Sequence, residues 1–193
     1  MNFNLLKMKN DEKINKKLLT VLTVLYLILA VWVVVFKCNY NEGLFIEANK
    51  SKTLLERLAY NTIPFEKFIL SIQTGGINAI TEILALIFNV ACFLPFGGFV
   101  RFFTKNKRTV VAFGAAFSFA IEVYQLFSCW GGPDYMDILL NTHGVLLGAM
   151  FHDAIAPRLT GKRINNMAFW AIICVTPFAV FAVINSIINF PGF

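Results

Sequence analysis

Acidic and amide side chains lie inside or beside long apolar segments of this sequence, where polar groups are rare. Glu122 comes near the end of one apolar segment, and Asp134 and Asp137 begin the next. Carboxylates can serve as general acids or bases, so these three residues are the candidates for catalysis. Carboxylates and amides can also bind amines, hydroxyls or a hard cation. The candidates for binding are Glu82, Asn89, Gln125, Asn141 and His143.

The composition indicates what surrounds these side chains. Of the 193 residues, 58% are hydrophobic and 15% are charged, and the mean hydropathy is +0.67. A soluble domain carries about 25% charged residues, so these values indicate a membrane protein whose main partner is the lipid bilayer. The net charge of +6 comes largely from short basic clusters between apolar segments. We therefore infer no nucleic-acid partner from it.

Five apolar segments have the length, about 17 to 25 residues, that an α-helix needs to cross the hydrocarbon core. They cover residues 18–36, 77–100, 109–128, 137–155 and 167–189. The second ends in a Pro-Phe-Gly-Gly sequence at Pro95 that we expect to break the helix, whereas Pro177 is tolerated inside the fifth. The apolar core of the first exceeds that of a signal peptide, so we expect a retained anchor. The sequence thus predicts one all-α, polytopic membrane domain over residues 1–193.

Basic residues indicate the orientation, because cytoplasmic loops carry an excess of Lys and Arg. Twelve of them lie in the amino-terminal segment and in the loops after the second and fourth spans. The opposite side carries five, diluted by four Glu. We therefore predict the amino terminus inside and the carboxyl terminus outside. In the outer loop between the first two spans, Leu54, Leu55 and Leu58 lie among charges, as in an amphipathic segment at the membrane interface.

The helical period of 3.6 residues places the polar side chains of the middle three spans on one face of each. These faces carry Glu82 and Asn89 in the second span, Ser118, Glu122 and Gln125 in the third, and Asp134, Asp137 and Asn141 in the fourth. We expect these three helices to pack with their polar faces inward, while the first and fifth lie outside them against lipid. The depth of each residue, at about 1.5 Å per residue, predicts one outward-facing polar pocket. Its ionisable members are Glu82, Glu122, Asp134, Asp137 and His143.

Polar residues at such depth have a functional and a structural interpretation. A charge near the bilayer centre costs about 2.5 to 3.5 kcal/mol, so several together need partners, water or a ligand. His143 is two residues from Asn141 and therefore points to a different face of the helix. A lone His is more often a packing residue than a ligand. His152 and Asp153 are expected to pair at the inner interface. The four Cys show no metal-binding spacing, and a disulfide between Cys38 and Cys129 is the minority interpretation.

Four sequence blocks resemble the VanZ-like family of small bacterial membrane proteins. They are "NTIPF", "NVACFLPFGGFV", "IEVYQLF" and "DYMDILLNTHGVLLG", and they occur in this order between Asn61 and Gly148. The resemblance implies a multi-pass protein of the bacterial cell membrane, in a Gram-positive cell, that is connected with resistance to glycopeptides of the teicoplanin type.

The resemblance also implies which positions carry the function. They are Asn61, Pro64, Asn89, Pro95, Gly97, Glu122, Gln125, Asp134, Asp137, Asn141 and Gly144. Asn61 thereby joins the binding candidates. Two positions depart from the family's pattern: "WGGP" stands where the family has an Arg before the acidic residues, and Met136 stands where it has a further Asp. Both departures lie at the mouth of the expected pocket, so they suggest a variant specificity or a degenerate member.

Three classes of function stay open at this point. The first is an envelope protein that binds or shields a lipid-linked cell-wall precursor or a glycopeptide. The second is an intramembrane enzyme acting on a lipid-linked envelope substrate, with Glu122 as acid or base and Asp134 and Asp137 holding a polar group or a divalent cation, Mg²⁺ or Ca²⁺. The third is structural, with the carboxylates holding three helices together. A transporter is a weaker alternative, because five spans do not divide into two equal repeats.

The sequence does not name a reaction. It contains no nucleophile elbow, no zinc-type "HExxH" and no phosphate-binding loop. Whether the protein is an enzyme, which ligand it takes and how many copies assemble are therefore questions that the residues leave open.

Overall fold

A computed structural model describes residues 16–35, 48, 50–59, 65–129, 133–158 and 161–189. In these residues the chain forms α1 (Lys16–Val35), α2 (Leu54–Ala59), α3 (Glu66–Thr74), α4 (Gly76–Phe103), α5 (Lys107–Ser128), α6 (Tyr135–Ile155) and α7 (Gly161–Asn189), with a 3-10 turn at Ala156–Arg158 that follows α6. The regular structure of the described residues is all helical. The predicted all-α fold is therefore confirmed for them.

Three of the described helices are long and apolar enough to cross a membrane. They are α4, α5 and the segment Tyr135–Arg158, which joins α6 to its 3-10 turn. The expected total of five spans and the absolute orientation stay predictions. The loop between the first two predicted spans is helical at α2 and α3, and Leu55 of α2 is 77% exposed. An exposed apolar side chain on a short helix is typical of a segment that lies on a membrane surface.

Local side-chain hydrogen bonds fix where several helices begin. At α2, Thr53 and Glu56 form a capping box: the Thr53 N–H donates to Glu56 Oε2 at 2.7 Å, and the Glu56 N–H donates to Thr53 Oγ1 at 3.3 Å. The Thr53 donors hold the pKa of the exposed Glu56 carboxyl below its usual range. At α5, Asn106 Oδ1 accepts from the Arg108 N–H at 3.0 Å. Each cap satisfies a helix-terminal N–H that has no partner within the helix.

Helices α4 and α6 run parallel and in close contact, although α5 separates them in the chain. Glycine makes this approach possible: a Cβ on Gly97 would overlap the Val145 carbonyl, and a Cβ on Gly148 would overlap the Leu94 carbonyl. Small residues of this kind let two membrane helices bring their backbones together. Helix α5 runs antiparallel to α6, and its Gly114 receives the side chain of Val145. The middle three spans therefore pack together, as the polar faces predicted.

The expected break at Pro95 was wrong. Helix α4 continues through Pro95 to Phe103 as one 28-residue helix. Proline removes one backbone N–H, but a membrane helix tolerates this loss where neighbouring helices support it. Here the residues after Pro95 include Gly97, whose backbone lies against α6. Gly97 therefore allows α4 to approach α6 closely and does not end the helix.

The expectation that the first span lies outside the middle three, against lipid, holds for only one face of α1. One face of α1 is buried, with Leu19, Tyr26 and Val33 each at most 1% exposed. The Tyr26 hydroxyl donates to the Cys92 carbonyl of α4, and its ring lies edge-on to Phe99 at 5.4 Å between centroids. Only the opposite face of α1 is exposed. A uniformly apolar sequence gives no polar stripe to follow, so its buried face was not visible from periodicity.

Charged side chains separate to the two ends of the bundle. We call the end where α4 and α6 finish and α5 and α7 begin the basic end. Its described basic residues are Lys16, Lys17, Arg101, Lys105, Lys107, Arg108, Arg158, Lys162 and Arg163. Among the described acidic residues only Asp153 lies there, and it pairs with Arg101 at 2.8 Å and Lys107 at 3.0 Å. His152 Nδ1 lies 3.2 Å from the same carboxylate, as expected from the sequence.

Candidate functional site

A buried group of polar side chains lies between the helices, toward the end opposite the basic end. We call it the polar cluster; its members are Asn89, Ser118, Glu122, Gln125, Asp134, Asp137 and Asn141. All except Asp134 are at most 6% exposed. Burying a polar group without a hydrogen bond costs about 1 to 3 kcal/mol, so the partners of these residues decide how the cluster is stabilised.

One hydrogen bond of the polar cluster joins α4 to α6. Asn89 Nδ2 donates to Asp137 Oδ1 at 2.5 Å. The side chains are 6% and 5% exposed, so water contributes little to satisfying either of them. The sequence placed both residues on inward faces, and the structure brings them into direct contact. Asn89 of α4 therefore holds the Asp137 side chain of α6 in place.

A second set of hydrogen bonds joins α5 to the start of α6. Glu122 Oε2 accepts from the Asp134 N–H at 2.8 Å. The Asp134 side chain in turn caps α6, because its Oδ1 accepts from the Met136 N–H at 2.9 Å. The Asp137 N–H also donates to the Asp134 carbonyl at 3.1 Å. Asp134 is thus the N-cap of α6, and Glu122 holds that cap against α5.

The side-chain amides of Asn141 and Gln125 donate hydrogen bonds to neighbouring helices. Asn141 Nδ2 donates to Ser118 Oγ at 2.9 Å, which joins α6 to α5. Gln125 Nε2 lies 3.4 Å from the Val34 carbonyl and donates to it, which joins α5 to α1. Gln125, Asn141 and Ser118 are all 0% exposed. These amides therefore connect neighbouring helices.

What the polar cluster leaves unused is hydrogen-bond acceptors. Among the described residues, the buried Gln125 Oε1 and Asn141 Oδ1 receive no donor. Gln125 lies on the inward face of α5 and Asn141 on that of α6. A hydrogen-bond donor would satisfy each of these two amide oxygens.

Two of the expected site residues lie away from the polar cluster. Glu82 is half-buried on α4, two turns or about 10 Å before Asn89, and has no described hydrogen bond to the cluster. His143 is exposed, and its Nδ1 contacts only the Leu139 carbonyl of its own helix at 2.9 Å. Its position two residues from Asn141 turns it to the opposite face of α6. Asn61 lies outside the described residues.

The cation considered for Asp134, Asp137 and Asn141 stays a prediction. Among the described residues, no three His, Cys, Asp or Glu side chains come together in a way that could hold a metal ion. Asp134 Oδ1 accepts from the Met136 N–H and Asp137 Oδ1 accepts from Asn89, so one oxygen of each carboxyl group already has a protein donor.

Arg57 is a contact that the sequence analysis missed. Its Nη1 donates to the Leu126 carbonyl at 2.8 Å and lies 2.8 Å from Cys129 Sγ. Helix α2 is thereby attached to the carboxyl end of α5, one turn beyond Glu122. A cation at this end of a helix is favourable, because the last carbonyls carry partial negative charge. Its only sequence signal was a lone Arg among leucines, which is also typical of a solvated side chain.

Cys129 is a free, buried thiol at the end of α5. It adopts a left-handed conformation with φ 60°, which ends the helix. Cys38, the disulfide partner considered from the sequence, lies outside the described residues. The described contact of Cys129 is with Arg57 of α2.

The chain is similar in sequence to known proteins of one family. The chain is 26% identical over 148 residues to the protein named VanZ from Enterococcus faecium, which covers 76% of this chain and 80% of that protein. No solved structure matches the chain. The VanZ/LLP1 family model matches residues 23–156, from within α1 to the turn that follows α6, and so includes every member of the polar cluster. The chain belongs to the VanZ/LLP1 family.

Proposed function

We propose that this protein lowers the susceptibility of a Gram-positive cell to glycopeptides of the teicoplanin type, by binding a donor-rich envelope ligand at the polar cluster. Membership of the VanZ/LLP1 family supports the connection with glycopeptides. The observation that carries the proposal is the pair of buried amide oxygens, Gln125 Oε1 and Asn141 Oδ1, that lack a donor among the described residues. A ligand with ammonium or hydroxyl groups would satisfy them.

The orientation predicted from the basic residues places the polar cluster in the outer half of the membrane. Twelve basic residues lie toward the predicted cytoplasmic side, whereas the polar cluster lies at the other end of the bundle. An outer location suits a lipid-linked cell-wall precursor, whose sugars and amines lie beside the outer leaflet. Binding or shielding such a precursor would reduce what a glycopeptide can reach.

The contacts favour binding over catalysis. Glu122 and Asp137 each accept a hydrogen bond from a neighbouring protein group, and Ser118 accepts from Asn141. These groups hold one another in place and do not form a nucleophile and base pair. An intramembrane enzyme remains the alternative, because Glu122 lies where an acid or base could act on a bound lipid-linked substrate.

Resistance measurements with matched variants test the proposal. The chain is expressed in a glycopeptide-susceptible Gram-positive host, and growth inhibition is measured with teicoplanin and vancomycin. Glu122→Gln and Asp137→Asn should return teicoplanin tolerance to the empty-vector value at unchanged protein level in the membrane. Glu82→Gln and His143→Gln are the controls, since these side chains lie away from the cluster, and they should retain tolerance.

Three results would redirect the interpretation. Full tolerance in Glu122→Gln and Asp137→Asn would make the polar cluster a structural feature. No tolerance in the wild type would assign this chain another task. Mass analysis of envelope lipids and precursors from the same cells separates the remaining alternatives, because a new or missing species requires turnover, whereas unchanged precursors agree with binding.

A further inference from the structure

An apolar cavity of about 160 Å³ lies between α4, α6 and α7 at the basic end. Its walls include Leu94, Phe99 and Phe102 of α4, and Met167 and Ala171 of α7. None of the residues that line the cavity belongs to the polar cluster, and the lining extends to the last turns of α4 and α6. It is therefore separate from the site of the proposed function.

Small residues create this space. Gly98 and Gly148 both line the cavity without a side chain, and α7 contributes Ala168 and Ala171. A Cβ added to Gly98 would meet only the Gly148 carbonyl oxygen, at 3.7 Å, which is ordinary van der Waals contact. The cavity side of Gly98 is thus open, in contrast to Gly97 one residue earlier, where a Cβ would overlap α6.

The lining is suited to hydrocarbon and poorly suited to water. A buried water needs two to four polar partners, and His152 is the only lining side chain that carries a nitrogen or oxygen atom. Its ring packs edge-on to Phe102 at 4.3 Å between centroids. Apolar cavities of about 150 Å³ stay dry and bind small apolar molecules. Hydrocarbon is the chemistry that such walls favour.

The rim of the cavity carries positive charge. Ala156 and Ile164 both line the cavity, and the chain between them contains Arg158 and Lys162, whose side chains are exposed. The one described acidic residue near them, Asp153, is already neutralised by ion pairs with basic side chains of α4 and α5. Two exposed basic residues therefore lie within two residues of the cavity lining along the chain, and we call them the rim.

We propose that this cavity binds an acyl chain of an anionic phospholipid, with the lipid phosphate at Arg158 and Lys162. The apolar walls take the chain, and the basic rim selects the charge of the headgroup. A lipid held in this way would fill the gap between α4, α6 and α7. The basic residues favour an anionic headgroup, because an apolar surface alone does not distinguish one headgroup from another.

Native mass spectrometry of the full-length protein tests this site. The protein in detergent is titrated with dioleoylphosphatidylglycerol and, separately, with dioleoylphosphatidylcholine. Phosphatidylglycerol should form the more persistent one-to-one adduct. Ala171→Phe fills the cavity from α7 and should reduce that adduct at least five-fold. Ala112→Phe, at an exposed position of α5, is the matched control and should leave it unchanged.

The rim has its own test. Arg158→Gln and Lys162→Gln should each lower the preference for phosphatidylglycerol over phosphatidylcholine by about five-fold, because one basic side chain near an anionic headgroup contributes about that factor. If Ala171→Phe fails to accumulate, Gly98→Ala adds a single methyl group without overlap and should weaken the adduct in the same direction. Equal adducts in Ala171→Phe and Ala112→Phe would overturn the proposal. A dimer that only Ala171→Phe abolishes would overturn it too, by making this surface an interface between two copies.

Discussion

The hydrogen bond between Asn89 and Asp137 should couple α4 to α6 more strongly than the bond between Asn141 and Ser118 couples α6 to α5. Both pairs are buried side-chain contacts that involve α6. They differ in the acceptor, which is a carboxylate in one pair and a hydroxyl in the other. A hydrogen bond to a charged group contributes about 1.5 to 3 kcal/mol. Neutral interhelical bonds in membrane proteins average about 0.6 kcal/mol.

Two double-mutant cycles measure this difference. One uses Asn89→Leu and Asp137→Leu, and the other uses Asn141→Leu and Ser118→Ala. The free energy of unfolding is determined by titrating a mild-detergent sample with sodium dodecyl sulfate. We expect a coupling of about 1.5 to 3 kcal/mol in the first cycle and roughly 0.6 kcal/mol in the second. Equal couplings would refute the reasoning, because the carboxylate would then contribute no more than a neutral hydroxyl does.

Three further perturbations follow from the described contacts. Gly148→Ala pushes a methyl group into a carbonyl of α4 and should lower the free energy of unfolding by about 1 to 3 kcal/mol, whereas Gly98→Ala should change it by less than about 0.5 kcal/mol in the same titration. Arg57→Lys keeps a positive charge beside Cys129 but removes the guanidinium contacts with α5, so the rate at which maleimide alkylates Cys129 should rise several-fold; an unchanged rate would mean that these contacts do not hold α2 over the thiol. Asp153→Asn breaks two partly exposed ion pairs and should cost only about 0.2 to 1 kcal/mol, with the loss shrinking in high salt.

The helical period predicted most members of the polar cluster, because charged and amide residues are rare in apolar helices and their faces are easy to follow. Glu122, Gln125, Asp137 and Asn141 each lie on an inward face as predicted, and each is buried. The helical period could not predict the hydrogen-bond partners of these residues. Two amides on correct faces, Gln125 and Asn141, turned out to bond a backbone carbonyl and a hydroxyl, because the rotation and height of neighbouring helices decide those contacts.

Depth counting failed where it was used alone. Glu82 has the right helix face but lies about 10 Å from Asn89 along α4. His143 has nearly the right depth but faces away from the cluster. A residue belongs to the cluster only when both its helix face and its position along the helix match those of the other members. The neighbouring side chains must also leave room for it. The tight helix contact at Gly97 and Gly148 was equally hidden, since glycine in a sequence signals a break as readily as a close approach.

Parallel α4 and α6 also impose an order on biogenesis. Asn89 is synthesised 48 residues before its partner Asp137. At about 5 to 20 residues per second, α4 waits roughly 2 to 10 s for α6. During that interval the Asn89 amide and the glycine surface of α4 face lipid, α1, α5 or the insertion machinery instead of α6. The buried side of nascent α4 is therefore a surface that a membrane insertase or chaperone would protect until α6 arrives.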